Sequence, residues 1–173
     1  AEMIAAEEGV KATINLTPSL IRQLQDFTDN GAKDLYWVLA EVPAAELTTE
    51  QKTFILQRFF DANWDHIIAV HPRYKELLDL RAGTDDKAIS KALETFTEQD
   101  FRDLQIWFNL AWVDPDYLAK APFKALVDKG QAFAEEDKTI LFDGILDLIR
   151  QVIPYHKQLQ DEGVIEVTTT PYA

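Results

Sequence analysis

Two pairs of acidic residues have spacings that could support general acid–base chemistry. Asp61 and Asp65 are four residues apart, and Asp100 and Asp103 are three apart, so each pair lies on one face of a helix. Two carboxyl groups on one face can serve as proton donor and acceptor. The chain carries 30 acidic residues, however, and acidic side chains on helices usually form solvated surfaces. We therefore expect both pairs to face solvent.

Metal and nucleophilic chemistry has little support in the sequence. His66 and His71 are five residues apart, whereas two ligands on one helical face need a spacing of four. No third ligand accompanies them, so we predict no metal site. The absence of cysteine excludes disulfides, zinc thiolate sites and a Cys nucleophile. Neither a Gly-rich phosphate loop nor a Gly-x-Ser-x-Gly turn occurs, and no cofactor is predicted.

Aromatic side chains could bind a ligand by stacking on sugar rings. The candidates are Tyr36, Trp37, Trp64, Trp107 and Trp112. Most of them lie on apolar helical faces, so we expect them to pack in the core. A further prediction is that one apolar stripe packs against the helix that begins near residue 135. This stripe comprises Phe101, Leu104, Phe108 and Trp112.

Helical patterns fill the middle of the chain, and strand patterns flank them. Residues 10–16 and 164–170 are rich in β-branched side chains, which predicts two strands. Seven or eight helices are predicted between them, the clearest over residues 19–29, 34–41, 72–81, 122–129 and 135–160. Thr48 with Gln51, and Thr97 with Asp100, mark two further helix starts. Residues 84–94 are weakly patterned and predict a short helix or a mobile loop.

Charge narrows the classes of partner. The net charge of −13 repels the phosphates of nucleic acid and anionic lipid, so we expect neither nucleic acid nor a membrane as partner. No apolar run approaches the roughly 20 residues that span a bilayer. A neutral glycan meets no such repulsion. We expect a cytoplasmic protein.

Several segments together resemble glycoside hydrolases of family 57, in particular their amylase-like and amylopullulanase-like members. The resemblance covers essentially the whole chain. It is carried by residues 9–20 (GVKATINLTPSL), 62–64 (ANW), 71–74 (HPRY), 101–112 (FRDLQIWFNLAW), Gly130 with 135–138 (EEDK), and 165–173 (IEVTTTPYA).

This resemblance implies a mainly α chain with two parallel β-strands, forming part of a (β/α)7 barrel with a long helical insertion. Residues 10–31 would be a barrel strand and helix, residues 32–160 the helical insertion subdomain, and residues 164–173 the next barrel strand. Residues 1–173 would thus be a single fragment. The family's first strand, with its His-Gln-Pro motif, would precede Ala1, and a His-Pro-Ile motif would follow Ala173.

The family cleaves or transfers α-glucosidic bonds with retention, using a Glu nucleophile and an Asp acid/base. No position here matches either carboxylate, so the resemblance implies no catalytic residue, no metal and no cofactor in this chain. Its implied partner is an α-glucan or maltooligosaccharide in the full-length enzyme. The expected binding residues are Thr17, Thr170 and Tyr172, at the carboxyl ends of the strands. Self-association through exposed strand edges is a further expectation. The alternative is a stand-alone helical binding or scaffolding module.

Overall fold

Ten α-helices and two short β-strands form the part of the chain that the computed structural model describes, residues 2–171. In chain order the elements are α1 (Glu2–Ala6), β1 (Ala12–Asn15), α2 (Pro18–Asp29), α3 (Leu35–Glu41), α4 (Thr49–Arg58), α5 (Pro72–Arg81), α6 (Asp86–Thr95), α7 (Glu98–Leu110), α8 (Pro115–Leu118), α9 (Phe123–Lys129), α10 (Glu135–Asp161) and β2 (Ile165–Thr168). A 3₁₀ turn over Ala44–Glu46 precedes α4, and a π-helical turn over Trp64–Ile68 precedes α5. None of the described helices is long and apolar enough to cross a membrane.

Local capping signals start the helices where the sequence predicts. The Thr48 hydroxyl accepts a hydrogen bond from the Gln51 backbone N–H, and the Gln51 side chain accepts one from the Thr48 N–H. Thr97 and Asp100 form the same reciprocal pair at the start of α7. Each of these reciprocal pairs, known as capping boxes, satisfies N–H groups that the first helical turn leaves unpaired. Helix α5 ends with Ala82 as its cap, a residue with a side chain that nevertheless takes the left-handed conformation, with φ of 63°.

The chain divides into two compact units. We call residues 2–33 with 145–171 the strand unit and residues 34–144 the helical unit. In the strand unit, β1 and β2 pair in parallel, with Ala12 opposite Ile165. This pairing confirms the predicted mainly α fold with two parallel strands. Each strand is four residues long, which is shorter than the predicted strands over residues 10–16 and 164–170.

Helix α7 lies at the centre of the helical unit. It packs on α3, α4 and α5, and Phe101, Leu104 and Phe108 are buried as predicted. The Phe108 ring stacks on Phe59 at 4.4 Å between centroids. The prediction that this apolar stripe packs against α10 is wrong in two respects. The main packing partners of α7 are α5, α3 and the 3₁₀ turn over Ala44–Glu46, followed by α4, rather than α10, and Trp112 is 67% exposed.

Candidate substrate-binding surface

Two of the three predicted site residues follow the carboxyl ends of the strands. Thr17 and Thr170 each come two residues after a strand. Because the strands are parallel, both residues follow the same end of the sheet. Thr17 is half-buried and caps α2, since its hydroxyl accepts from the Leu20 N–H at 3.3 Å. The Ser19 hydroxyl lies 3.2 Å from it. Thr170 is exposed. Tyr172 lies outside the described residues.

One face of the strand pair is polar, and sequence reasoning missed it. The register places Thr13 opposite Glu166 and Asn15 opposite Thr168. These four residues, which we call the polar strand face, are all exposed. The Thr13 hydroxyl donates to the Glu166 carboxylate at 3.3 Å. The opposite face carries Ala12, Ile14, Ile165 and Val167. The alternation of polar and apolar residues along both strands was the available signal.

The amino ends of the strands form a separate small cavity of about 260 Å³. The Lys11 ammonium donates to the Gly163 carbonyl at 2.6 Å, which ties the residue before β1 to the turn before β2. Gly163 has φ of 70°, a conformation that favours glycine. This contact joins the two segments at the end of the sheet opposite to Thr17 and Thr170.

The two acidic pairs have different environments. Asp61 and Asp65 are exposed, as predicted. Asp100 and Asp103 are buried, so the prediction of a solvated face is wrong for them. Arg73 forms ion pairs with both members of this second pair, with its Nη2 2.5 Å from Asp100 and its Nε 2.8 Å from Asp103.

The protonation behaviour of this cluster is that of a structural ion pair. Burial alone would raise the pKa of Asp100, but hydrogen bonds from Thr97 and from Arg73 outweigh burial and hold the pKa below its ordinary value. Burial likewise opposes the charge on Arg73, and its bonds to Asp103, Glu76 and Asp100 raise its pKa above the ordinary value. A carboxylate held ionised in this way is a poor general acid at neutral pH.

The two histidines also differ. His66 is exposed on the π-helical turn, whereas the His71 ring stacks on Trp107 at 4.4 Å between centroids. Burial lowers the pKa of His71. Among residues 2–171, no group of three or more His, Cys, Asp or Glu side chains has an arrangement that could hold a metal ion.

The aromatic candidates divide into core and surface residues. Trp37 and Trp107 are buried as predicted, and Tyr36 stacks on Phe59 and Phe108. Trp64 and Trp112 are exposed instead, by 50% and 67%. These two indoles are therefore available for contacts with a ligand or partner.

Comparison with protein-family models, with curated proteins and with solved structures gives no match to this chain.

Proposed function

We propose that this chain is a segment of an α-glucan-acting retaining glycoside hydrolase or transglycosidase. In that enzyme it forms two neighbouring strands of a (β/α)7 barrel and the helical subdomain inserted between them. It contributes part of the substrate cleft and no catalytic carboxylate. The observation that carries the proposal is the parallel pairing of β1 with β2 across a connection that contains all of the helices α2 to α10.

The packing of the strand unit supports a larger sheet. A two-stranded sheet is marginal by itself in water, and parallel strands are usually covered on both faces. Among the described residues of the strand unit, the buried apolar side chains are Leu16, Leu159 and Ile165. Further strands beside β1 and β2 would bury more of the apolar strand face, and a barrel would provide them.

The polar strand face and the residues that follow it suit an uncharged polyhydroxy ligand. The face offers two hydroxyls, one amide and one carboxylate, which can donate to and accept from sugar hydroxyls. A neutral glucan also meets no repulsion from a chain of net charge −13. Cleavage with retention requires two carboxyl groups about 5 Å apart, whereas Glu166 is the one carboxylate on this face. We therefore propose positioning of the glucan, without bond cleavage, for this surface.

A titration with maltoheptaose tests the proposal. Amide shifts of the ¹⁵N-labelled chain should change along the polar strand face and around Thr17, and a β-linked cello-oligosaccharide should leave them unchanged. Thr168→Val removes one hydroxyl with little change of shape and should weaken the response. Thr139→Val makes the same change on an exposed helical residue and should have no effect. Shift changes elsewhere, or equal responses to both glycans, would overturn the assignment.

An activity assay tests the second part of the proposal. The isolated chain should release no reducing ends from amylose or maltooligosaccharide at any pH. Turnover that follows the folded protein, and that disappears when one carboxylate of this chain is replaced, would contradict a purely positioning role.

A stand-alone helical binding or scaffolding module is the second candidate. It is favoured by the helical unit, which contains every buried apolar side chain of the described residues except Leu16, Leu159 and Ile165. The neighbouring coding sequence separates the two candidates. A His-Gln-Pro motif upstream and His-Pro-Ile directly after Ala173 would favour the hydrolase, and a natural stop codon after Ala173 would favour the module.

A further inference from the structure

An apolar cavity of about 500 Å³ opens on the helical unit. This volume lies within the range of cavities that bind small molecules. Val70 is 61% exposed there, so an occupant that covers it removes apolar surface from water. The aliphatic lining comes from five segments, the π-helical turn, the residues after it, the end of α7, α8 and α9, and includes Ile67, Val70, Val113, Pro115, Leu118 and Val127. The cavity therefore suits an apolar body.

The charged side chains of this lining are already paired with each other. Lys124 and Asp128 both line the cavity, and the Lys124 ammonium lies 2.6 Å from the Asp128 carboxylate. A charged ligand group would lose its water here without gaining a counterion, which is costly. The lining therefore favours an uncharged ligand.

A second cavity, of about 450 Å³, adjoins the first. Val70, His71 and Val127 line both cavities. The second cavity also contains Arg73 and Lys129, and both cations form ion pairs with carboxylates of the helical unit. Neither cavity thus offers an unpaired lysine, arginine or aspartate, and His71 lies where the two cavities meet.

His71 supplies the polar group that lacks a protein partner. Its backbone N–H donates to the Ile68 carbonyl at 3.1 Å, and its carbonyl accepts from the Lys75 N–H at 3.0 Å. The imidazole stacks on Trp107 but forms no hydrogen bond with any residue between 2 and 171. Because burial lowers the pKa of His71 below 6.5, the ring is neutral at neutral pH and has one N–H donor and one acceptor. A hydroxyl group complements it, since a hydroxyl both donates and accepts.

We propose that the first cavity binds an uncharged, mainly apolar molecule that carries a hydroxyl group, with the apolar body among the aliphatic side chains and the hydroxyl at His71. The π-helical turn supports this assignment, because it brings His66 and Ile67 into the lining and such turns are frequent at functional sites. The inference is independent of the proposed glucan function and uses residues of the helical unit alone.

A matched series of three ligands tests the proposal on the wild-type chain at neutral pH. 2-Naphthol combines an apolar body with one hydroxyl, naphthalene lacks the hydroxyl, and 2-naphthoate replaces it by a carboxylate. Amide shifts of the ¹⁵N-labelled chain should change at Ile67, Val113 and Leu118 on titration with 2-naphthol. 2-Naphthol should bind about fivefold more tightly than naphthalene, because it gains one hydrogen bond. It should bind at least about tenfold more tightly than 2-naphthoate, whose charge finds no counterion.

Replacing the imidazole tests the role of His71. His71→Phe keeps a ring that can stack on Trp107 but removes both nitrogens, so 2-naphthol and naphthalene should bind it with equal affinity. A purely structural role of His71 would change both affinities alike and leave their ratio at about five. His156→Phe makes the same replacement outside the cavity lining and should keep the fivefold preference. Circular dichroism checks that both variants fold.

Three results would overturn the proposal. The first is a wild-type chain whose amide shifts at the cavity residues stay unchanged up to the solubility limit of 2-naphthol. The second is naphthalene or 2-naphthoate binding as tightly as 2-naphthol. The third is a fivefold preference for 2-naphthol that survives in folded His71→Phe. The first two results need no variant, so they decide the question even when His71→Phe does not fold.

Discussion

Replacing Asp103 by alanine should remove a large part of the stability of the helical unit. The Asp103 side chain is 1% exposed, and its carboxylate is the acceptor for several donors. It accepts from Arg73 Nε at 2.8 Å, Gln99 Nε2 at 2.8 Å, the Phe133 N–H at 3.1 Å and the Ala132 N–H at 3.4 Å. The carboxylate therefore joins α5 and α7 to the loop before α10.

The expected magnitude follows from what the variant leaves unpaired. Removing one partner of a buried ion pair costs about 3–5 kcal/mol. Arg73 keeps Asp100 at 2.5 Å and Glu76 at 2.9 Å, so we expect about 3 kcal/mol, the lower end of that range. Asp103→Asn keeps the shape and one oxygen but loses the charge, and should cost about 1.5–3 kcal/mol, the worth of a hydrogen bond to a charged group.

Urea unfolding at neutral pH measures the loss of unfolding free energy. Because the chain has two units, the transition should be followed both by circular dichroism and by tryptophan fluorescence. Asp65→Ala is the matched control, since it removes an exposed carboxylate from the other acidic pair, and it should change the free energy of unfolding by less than about 0.5 kcal/mol. A loss below about 1 kcal/mol for Asp103→Ala, or equal losses for the two alanine variants, would refute the assignment of a buried structural ion pair.

Three further predictions concern the core and its pH dependence. Gly144→Ala should cost about 1–3 kcal/mol in urea unfolding, because the added Cβ would lie 2.8 Å from Pro122 Cγ and 3.0 Å from Phe123 Cζ; an unchanged midpoint would contradict this packing. Leu104→Ala should cost about 2–5 kcal/mol, since Leu104 is fully buried, and a loss below about 0.5 kcal/mol would disprove its core position. Burial holds the pKa of His71 below its ordinary value of 6.5, so the unfolded chain binds more protons below that pH and stability should fall on acidification from neutral pH. The slope of melting temperature against pH should be shallower in His71→Gln, and equal slopes would exclude this contribution.

Local signals predicted much of the fold. Thr48 and Thr97 each begin a helix by capping, and the helix over Pro72–Arg81 was predicted to the residue. The weakly patterned segment over residues 84–94 forms α6, because Asp85 caps it and Ile89 and Ala92 are buried. Such features depend on neighbours within one or two turns, so a single sequence contains them.

The features that sequence reasoning missed depend on distant residues. Burial of Asp100 and Asp103 depends on hydrogen bonds from Arg73, which lies 27 and 30 positions away in the chain, and no spacing rule indicates that pairing. Trp112 was assigned to the core by extending the apolar stripe of α7. The helix ends at Leu110, however, and beyond its last turn the helical period no longer determines which side a residue faces.

The polar strand face is the feature of the strand unit that packing alone does not explain. Parallel strands in most α/β proteins are nearly continuous apolar runs, because helices cover both faces of the sheet. Here Thr13 pairs with Glu166 on one face, while Ile14 pairs with Val167 on the other. An apolar face is what packing against helices requires, whereas four exposed polar side chains add nothing to a core. This asymmetry is expected when one face of a parallel sheet contacts helices and the other contacts water or a polar ligand, and it makes the polar face the first surface to examine for glucan binding.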